Sequence, residues 1–270
     1  MPLFMDQALA RRLERTEGAI GRSHVMARRA LDPEVDATWH DFDGTYAFYD
    51  GTSSVLTQSF GLGVFAPTTA ASLDAIEAFF ERNGASPQHE VSIHAGVETL
   101  ALLVERGYRP VELSNVLVQP LPAPMDAAAP GLHVRTCTAA DAEPWIEASA
   151  AGWADTPEIG ALARSIARVV VANPLMTNFL VERNGTLIAT ASLGIHEGVA
   201  LLAGASTIPA GRGLGAQSAV LGARLAEAHR RGCDLAMIVA APGSSSQRNA
   251  ERRGFRVAYA RTKWLRPPKP

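Results

Sequence analysis

The hydrophobic pattern of this chain changes period several times, and each change marks an element. Val199 to Ile208 is apolar without helical spacing, which predicts a strand, whereas Ala216 to Arg231 places Val220, Leu221, Leu225 and Ala228 on one helical face. Gly232 then stops the helix, and the continuous apolar run Leu235 to Ala241 fits a buried, parallel-type strand. Pro242-Gly243-Ser244-Ser245-Ser246 is a turn with several candidate N-caps; Gln247 to Arg253 follows as a helix, and Gly254-Phe255 ends it before the strand-like Arg256 to Trp264. Upstream, Leu132 to Thr136 suits a strand, Ala139-Ala140-Asp141 a helix start and Pro144 to Trp153 a helix. Phe179 to Glu182 and Leu187 to Leu193 form a hairpin through Asn184-Gly185, which supplies the positive φ of a tight turn, and a second hairpin turns at His196-Glu197-Gly198.

The first half shows a related order. An amphipathic helix around Arg11-Arg12-Leu13-Glu14-Arg15 opens it, and Ser72 to Asn83 is a helix with Leu73, Ile76, Phe79 and Phe80 on one face. Glu90 to Ile93 is a strand, Gly96 to Glu105 a helix, and Arg106-Gly107-Tyr108 precedes the strand Val111 to Val118. Helix, strand, helix, Gly-aromatic, strand is also how the second half ends. Between the halves, Gln119 to Pro130 is rich in proline and alanine with no periodic face, so it reads as a linker. The expected organisation is an α/β chain with domains at 1–118 and 132–270, joined by 119–131.

Composition narrows the class without choosing the chemistry. With 270 residues, 47% of them hydrophobic, and a formal charge of −2, the chain can bury one large or two smaller cores and has no basic excess for nucleic acid. Two cysteines argue against a disulfide scaffold, and neither has metal-ligand spacing, so no metal is expected. No apolar span approaches membrane length and the N-terminus lacks signal-peptide character, so a cytoplasmic protein without membrane contact is expected.

The chemistry sits at Pro209-Ala210-Gly211-Arg212-Gly213-Leu214-Gly215-Ala216-Gln217-Ser218, where a strand turns through glycines into a helix. The first N–H groups of such a helix have no partners, and its dipole places partial positive charge at the same end, so the junction suits a phosphate. Gly213 and Gly215 let the backbone approach the ligand closely.

The loop, with its spacing to Pro242, Asn249 and Gly254-Phe255, resembles the GNAT superfamily of acyl-CoA-dependent N-acetyltransferases. Pro209, Arg212, Gly213 and Gly215 match the family's loop in order; Gln217 departs from it, standing where Gly or Ala is usual. The resemblance implies two GNAT-like domains, each a mixed, centrally splayed β-sheet flanked by helices, the first of them degenerate: around Gly63-Val64-Phe65-Ala66-Pro67-Thr68-Thr69 it lacks the double-glycine turn and the basic residue. It further implies that acetyl-CoA binds through the N–H groups of Leu214, Gly215, Ala216, Gln217 and Ser218, with Gly213, Arg212, Arg248 and Asn249 contributing. The implied activity is acetyl transfer to a primary amine of a small molecule by direct attack, in a monomer or homodimer. A coenzyme-binding protein without turnover, or a protein N-acetyltransferase, are the alternatives.

Catalytic residues are less legible. Many GNAT enzymes carry a proton-donating tyrosine four residues before the Gly-Phe glycine; here that position is Ala250. Ser246, Asn249 and Tyr259 are the substitutes to consider, Ser246 alternatively belonging to the helix cap. Glu182, His196 and Glu197 lie near strand ends as candidate bases, and Trp153, Asp155 and Glu158 follow the first helix of the second half, a segment that often borders the acceptor in this family.

Overall fold

The computed structural model describes residues 4–123, 130–154 and 156–267, so residues 124–129 of the expected linker, and Asp155, lie outside the described residues. Along the chain the elements are α1 (Gln7–Leu31), β1 (Thr38–Phe42), β2 (Thr45–Tyr49), β3 (Ser59–Phe60), α2 (Ala70–Arg82), β4 (Gln88–Ser92), α3 (Val97–Glu105) and β5 (Arg109–Pro120). There follow β6 (Leu132–Thr136), α4 (Ala142–Trp153), α5 (Pro157–Ala172), β7 (Met176–Arg183), β8 (Thr186–His196), β9 (Val199–Thr207), α6 (Ala216–Arg230), β10 (Leu235–Ala240), α7 (Ser245–Arg252) and β11 (Arg256–Leu265).

By contacts the chain forms two units: Met1–Val118 with Val239–Pro270, and Gln119–Ile238. This differs from the expected split at 119–131, because the last 32 residues, 239–270, join the first unit instead of the second. The cause is β11. It pairs antiparallel with β4 on one edge (Arg261 opposite Ser92) and with β5 on the other (Arg261 opposite Ser114), so the last strand completes the first unit's sheet.

In that unit the strands run β1-β2-β3-β4-β11-β5, with β3 and β4 parallel. Leu73, Ile76, Phe79 and Phe80 of α2 are buried against Leu103, Tyr108 and Trp264, as the helical spacing predicts. Beneath them runs a buried polar chain. Ser59 Oγ lies 2.6 Å from His89 Nδ1, His89 Nε2 lies 3.0 Å from the Tyr108 hydroxyl, and that hydroxyl donates to Glu77 Oε1 at 3.1 Å. A neutral imidazole accepting from Ser59 and donating to Tyr108 satisfies every partner. Burial accordingly holds the His89 pKa down at about 3. On α1, Glu14 Oε1 accepts from both Tyr259 Oη and Arg261 Nε of β11 at 2.9 Å, and all three side chains are buried.

The second unit has strands β10-β9-β8-β7-β6. Both predicted turns are present, with Asn184 and Gly185 at φ 51° and 77° and Glu197 and Gly198 at 44° and 75°. Trp145 of α4 is 1% exposed and donates its indole N–H to the Phe179 carbonyl at 3.0 Å, anchoring α4 on the sheet. Among the described residues no helix is long and apolar enough to cross a membrane.

Candidate functional site

The second unit's sheet opens beside β9. Its parallel pairing with β10 covers only Val199–Leu201 against Leu235–Met237, while β9 continues to Thr207. The edge from Leu202 onward is therefore unpaired with β10. On the other edge β9 bulges: Thr190 and Ser192 of β8 face Ser206 and Ala203, so Gly204 and Ala205 together oppose Ala191. Gly204 makes this possible at φ 60°, a backbone conformation that is left-handed and favours glycine. The bulge disturbs the ladder, and Arg224 of α6 supports the carbonyls beside it, its Nη1 donating to Ser192 O at 3.1 Å and Ala203 O at 3.2 Å. A buried carbonyl left unpaired costs about 1–3 kcal/mol, so these bonds hold the bulge in place.

Beyond β9 the chain passes Pro209–Gly211 and enters α6 at Gly215, whose φ of 81° makes it a left-handed N-cap. Gly213, at φ 77°, would meet nothing within 4 Å of an added Cβ, so its conformation and not crowding is what selects glycine. No side chain caps α6. Among the described residues, none of the six consecutive backbone N–H groups from Gly213 to Ser218 donates to a protein acceptor. A row of unmatched donors at the positive end of a 15-residue helix fits a pyrophosphate. Gln217 does not obstruct it, because its Nε2 turns back to Thr207 Oγ1 at 2.6 Å. Arg212 is exposed, with Nη2 3.3 Å from the Gly152 carbonyl at the end of α4.

The first unit offers an instructive contrast. There α2 also follows a glycine-containing loop, but Thr69 caps it: Thr69 Oγ1 accepts from Ser72 N at 3.1 Å and Ser72 Oγ from Thr69 N at 2.9 Å. The helix start is closed by its own side chains. The adjoining cavity, about 440 Å³, is lined in part by Asp41 and Asp43, the wrong sign for a phosphate.

The remaining expected residues fall as follows. Arg248, Asn249 and Ser246 lie on α7, in the first unit, and all three are exposed. Ser244 and not Ser246 caps α7, accepting from Gln247 N at 3.2 Å, and Ala250 is buried. Tyr259 is 2% exposed, and burial together with the Glu14 carboxylate raises its pKa well above the usual phenol value, so its hydroxyl is held as a structural donor within the first unit. Glu182 is engaged by Arg135, which also pairs with Asp141. His196 and Glu197 lie 3.8 Å apart at a hairpin turn whose strand end is Val199, five residues or roughly 17 Å from the bulge along β9. Trp153 is 53% exposed; Glu158, in the first turn of α5, is exposed with its carboxyl pKa lowered by its own backbone N–H and by Thr156. No metal-binding cluster occurs among the described residues, and burial pushes the Cys137 thiol up to about 12.

Two contributors escape sequence reading. Arg224 looks like an ordinary polar helix position, and only the helical spacing from Val220 and Leu221 hints that it faces inward. Gly152 is the other: a Cβ there would lie 2.9 Å from Thr207 N and 3.0 Å from Thr207 C, so α4 touches the strand end that feeds the loop. Gly152→Val is expected to lower stability by about 1–3 kcal/mol through this clash, and to weaken coenzyme binding alongside. Urea unfolding and a coenzyme titration check it, and an unchanged midpoint would show the contact to be loose.

No family model and no curated protein matches this chain. Solved structures do. A GCN5-related N-acetyltransferase from Kribbella flavida superposes with a TM-score of 0.63 at 20% identity, covering 92% of this chain and 96% of that one. A GCN5-related N-acetyltransferase from Sphaerobacter thermophilus gives 0.60 at 18% identity, covering 86% and 76%. A tandem GNAT protein from the clavulanic acid biosynthesis pathway gives 0.56 at 13% identity, covering 74% and 70%. The chain therefore has the GNAT fold, a mixed α/β architecture shared with a tandem member of that group.

Proposed function

We propose that this protein transfers an acetyl group from acetyl-CoA to a primary amine of a small molecule, releasing the coenzyme A thiol, and that the start of α6 holds the coenzyme. One observation carries the reading: six adjacent backbone N–H groups at the start of α6 have no protein acceptor, while the start of α2 is capped by its own side chains. When bound, acetyl-CoA supplies an activated thioester carbonyl. The N–H groups of Gly213 to Ser218 hold the pyrophosphate, the α6 dipole adds to their charge, and the exposed Arg212 contributes a guanidinium at the same loop. The free edge of β9 from Leu202 to Thr207 offers backbone donors and acceptors to the pantetheine arm. Arg248 and Asn249 remain assigned to the coenzyme on the family resemblance alone.

The amine must lose its proton to react. We assign no side chain to this step, since Glu182 is occupied by Arg135 and His196 sits at the far hairpin. A cytoplasmic location and a small-molecule acceptor belong to the same proposal. So does the reading of residues 1–118 as the half that binds no coenzyme.

A second reading has one observation in its favour. Ala250 stands at the tyrosine position, and Tyr259 is tied to Glu14, so no tyrosine is assigned as proton donor; that favours a protein that binds the coenzyme without turnover. Thiol release from acetyl-CoA against a panel of primary amines separates the two. Saturable release with some amine is the expected result. Tight coenzyme binding without release for any amine would favour the second reading.

A further inference from the structure

We infer that Arg224 is a positioning residue for acyl transfer: it clamps the β9 bulge and so fixes where the acyl group lies relative to the phosphate cradle. This rests on the acyl-transfer reading above. The geometry comes from a single helix. The first turn of α6 presents the cradle N–H groups, and Arg224 follows Ala216 by eight residues, roughly 12 Å along the axis. Arg224 is 3% exposed, and its guanidinium reaches Ser192 O and Ala203 O, one on each strand beside the bulge. The cradle and the bulge are therefore joined by one rigid rod, with the cradle at its start and the pin just past its middle.

Burying this charge serves no ion pair. Among the described residues no carboxylate contacts Arg224, and its Nε has no hydrogen-bond partner. Burial lowers its pKa to about 10, which still leaves it charged at neutral pH. An apolar side chain would fill the same space without desolvating a cation. What only the guanidinium supplies is two donated bonds that set the separation of the bulged strands. One of them, β9, also borders the opening where its pairing with β10 ceases, at Leu201 and Met237.

The test compares Arg224→Met and Arg224→Lys with the parent chain, using thiol-release kinetics, calorimetric Kd for coenzyme A, and hydrogen exchange over residues 189–207. Arg224→Met should lower kcat at least thirtyfold, keep Kd within threefold, raise butyryl relative to acetyl turnover, and speed exchange at 203–206. Arg224→Lys should recover part of the turnover. A folded Arg224→Met with kcat within threefold of the parent, or with kcat and affinity lost in equal proportion, overturns the proposal. If Arg224→Met does not fold, Gly204→Ala strains the same bulge through its φ of 60° and must give the same split. If the parent releases no thiol with any amine, the acyl-transfer reading fails by itself. The exchange comparison then still decides the clamp: unchanged protection at 203–206 in either variant refutes it.

Discussion

Replacing Gly215 by glutamate is expected to raise the Kd for acetyl-CoA at least a hundredfold while leaving the fold in place. Two effects act together. A side chain at φ 81° strains the N-cap of α6 by roughly 1–2 kcal/mol, tilting the first N–H groups out of their row. The carboxylate then occupies the space in front of those groups and repels the phosphate they face. The same charge is favourable to the helix, since an anion near an N-terminus complements the dipole, and that is why the fold should survive. Gly215→Ala separates the two effects, keeping the strain without the charge, and should weaken binding about tenfold. Calorimetric titration checks both. A Kd for Gly215→Glu within threefold of the parent value would mean that the phosphate lies elsewhere.

A second large effect concerns pH. Burial lowers the pKa of His89 to about 3 and of His24 to about 4; the Nε2 of His24 is enclosed without a partner. Both folded values lie below that of a free histidine, so the unfolded chain takes up protons first as the solution is acidified. Their stabilisation is complete above about pH 6.5 and is lost as pH falls toward the folded values. Between pH 7 and pH 5 two protons are gained on unfolding, which removes roughly 4 kcal/mol, a large share of the 5–15 kcal/mol typical of a folded domain. Glu17 acts oppositely, because burial raises its carboxyl pKa and it gains as pH falls, but it is one group against two. Urea unfolding at pH 7 and pH 5 measures the loss, and His24→Leu should remove about half of it. Equal stability at the two values would mean that neither ring is held neutral by the fold.

The sequence reading was strongest where local chemistry and period agreed. Strand, glycine turn and helix around Gly213 to Ser218 are set by residues within ten positions of one another, and the structure places β9 and α6 within one residue of the expected bounds. Two further segments carry local signals in the sequence. Asp43-Gly44 is the turn of the β1–β2 hairpin, with both residues at positive φ, and Thr156-Pro157 opens α5 as N-cap and first helical residue. β1 is only half-buried, so its alternation is weak, whereas Ile159, Leu162, Ile166, Val169 and Val170 give α5 an apolar helical spacing that is itself readable.

What was illegible depends on distant pairing. Nothing local to Arg256–Leu265 says that it slots between β4 and β5, and that partner choice adds a second division within β10, at Ile238/Val239, to the one at Val118/Gln119. Tyr259 illustrates the consequence. Read in sequence it is a hydroxyl near the expected catalytic elements; in the fold it answers Glu14, 245 residues away. Gln217 is the converse, an apparent obstacle whose amide bonds to Thr207 and leaves the N–H row clear.

The central claim, that the coenzyme is held at the open start of α6, is tested most directly by calorimetric titration of the intact protein with acetyl-CoA. The prediction is one site per chain, lost in Gly215→Glu and unchanged when Thr69 is replaced by alanine at the start of α2. No saturable binding, or two equivalent sites per chain, would contradict it.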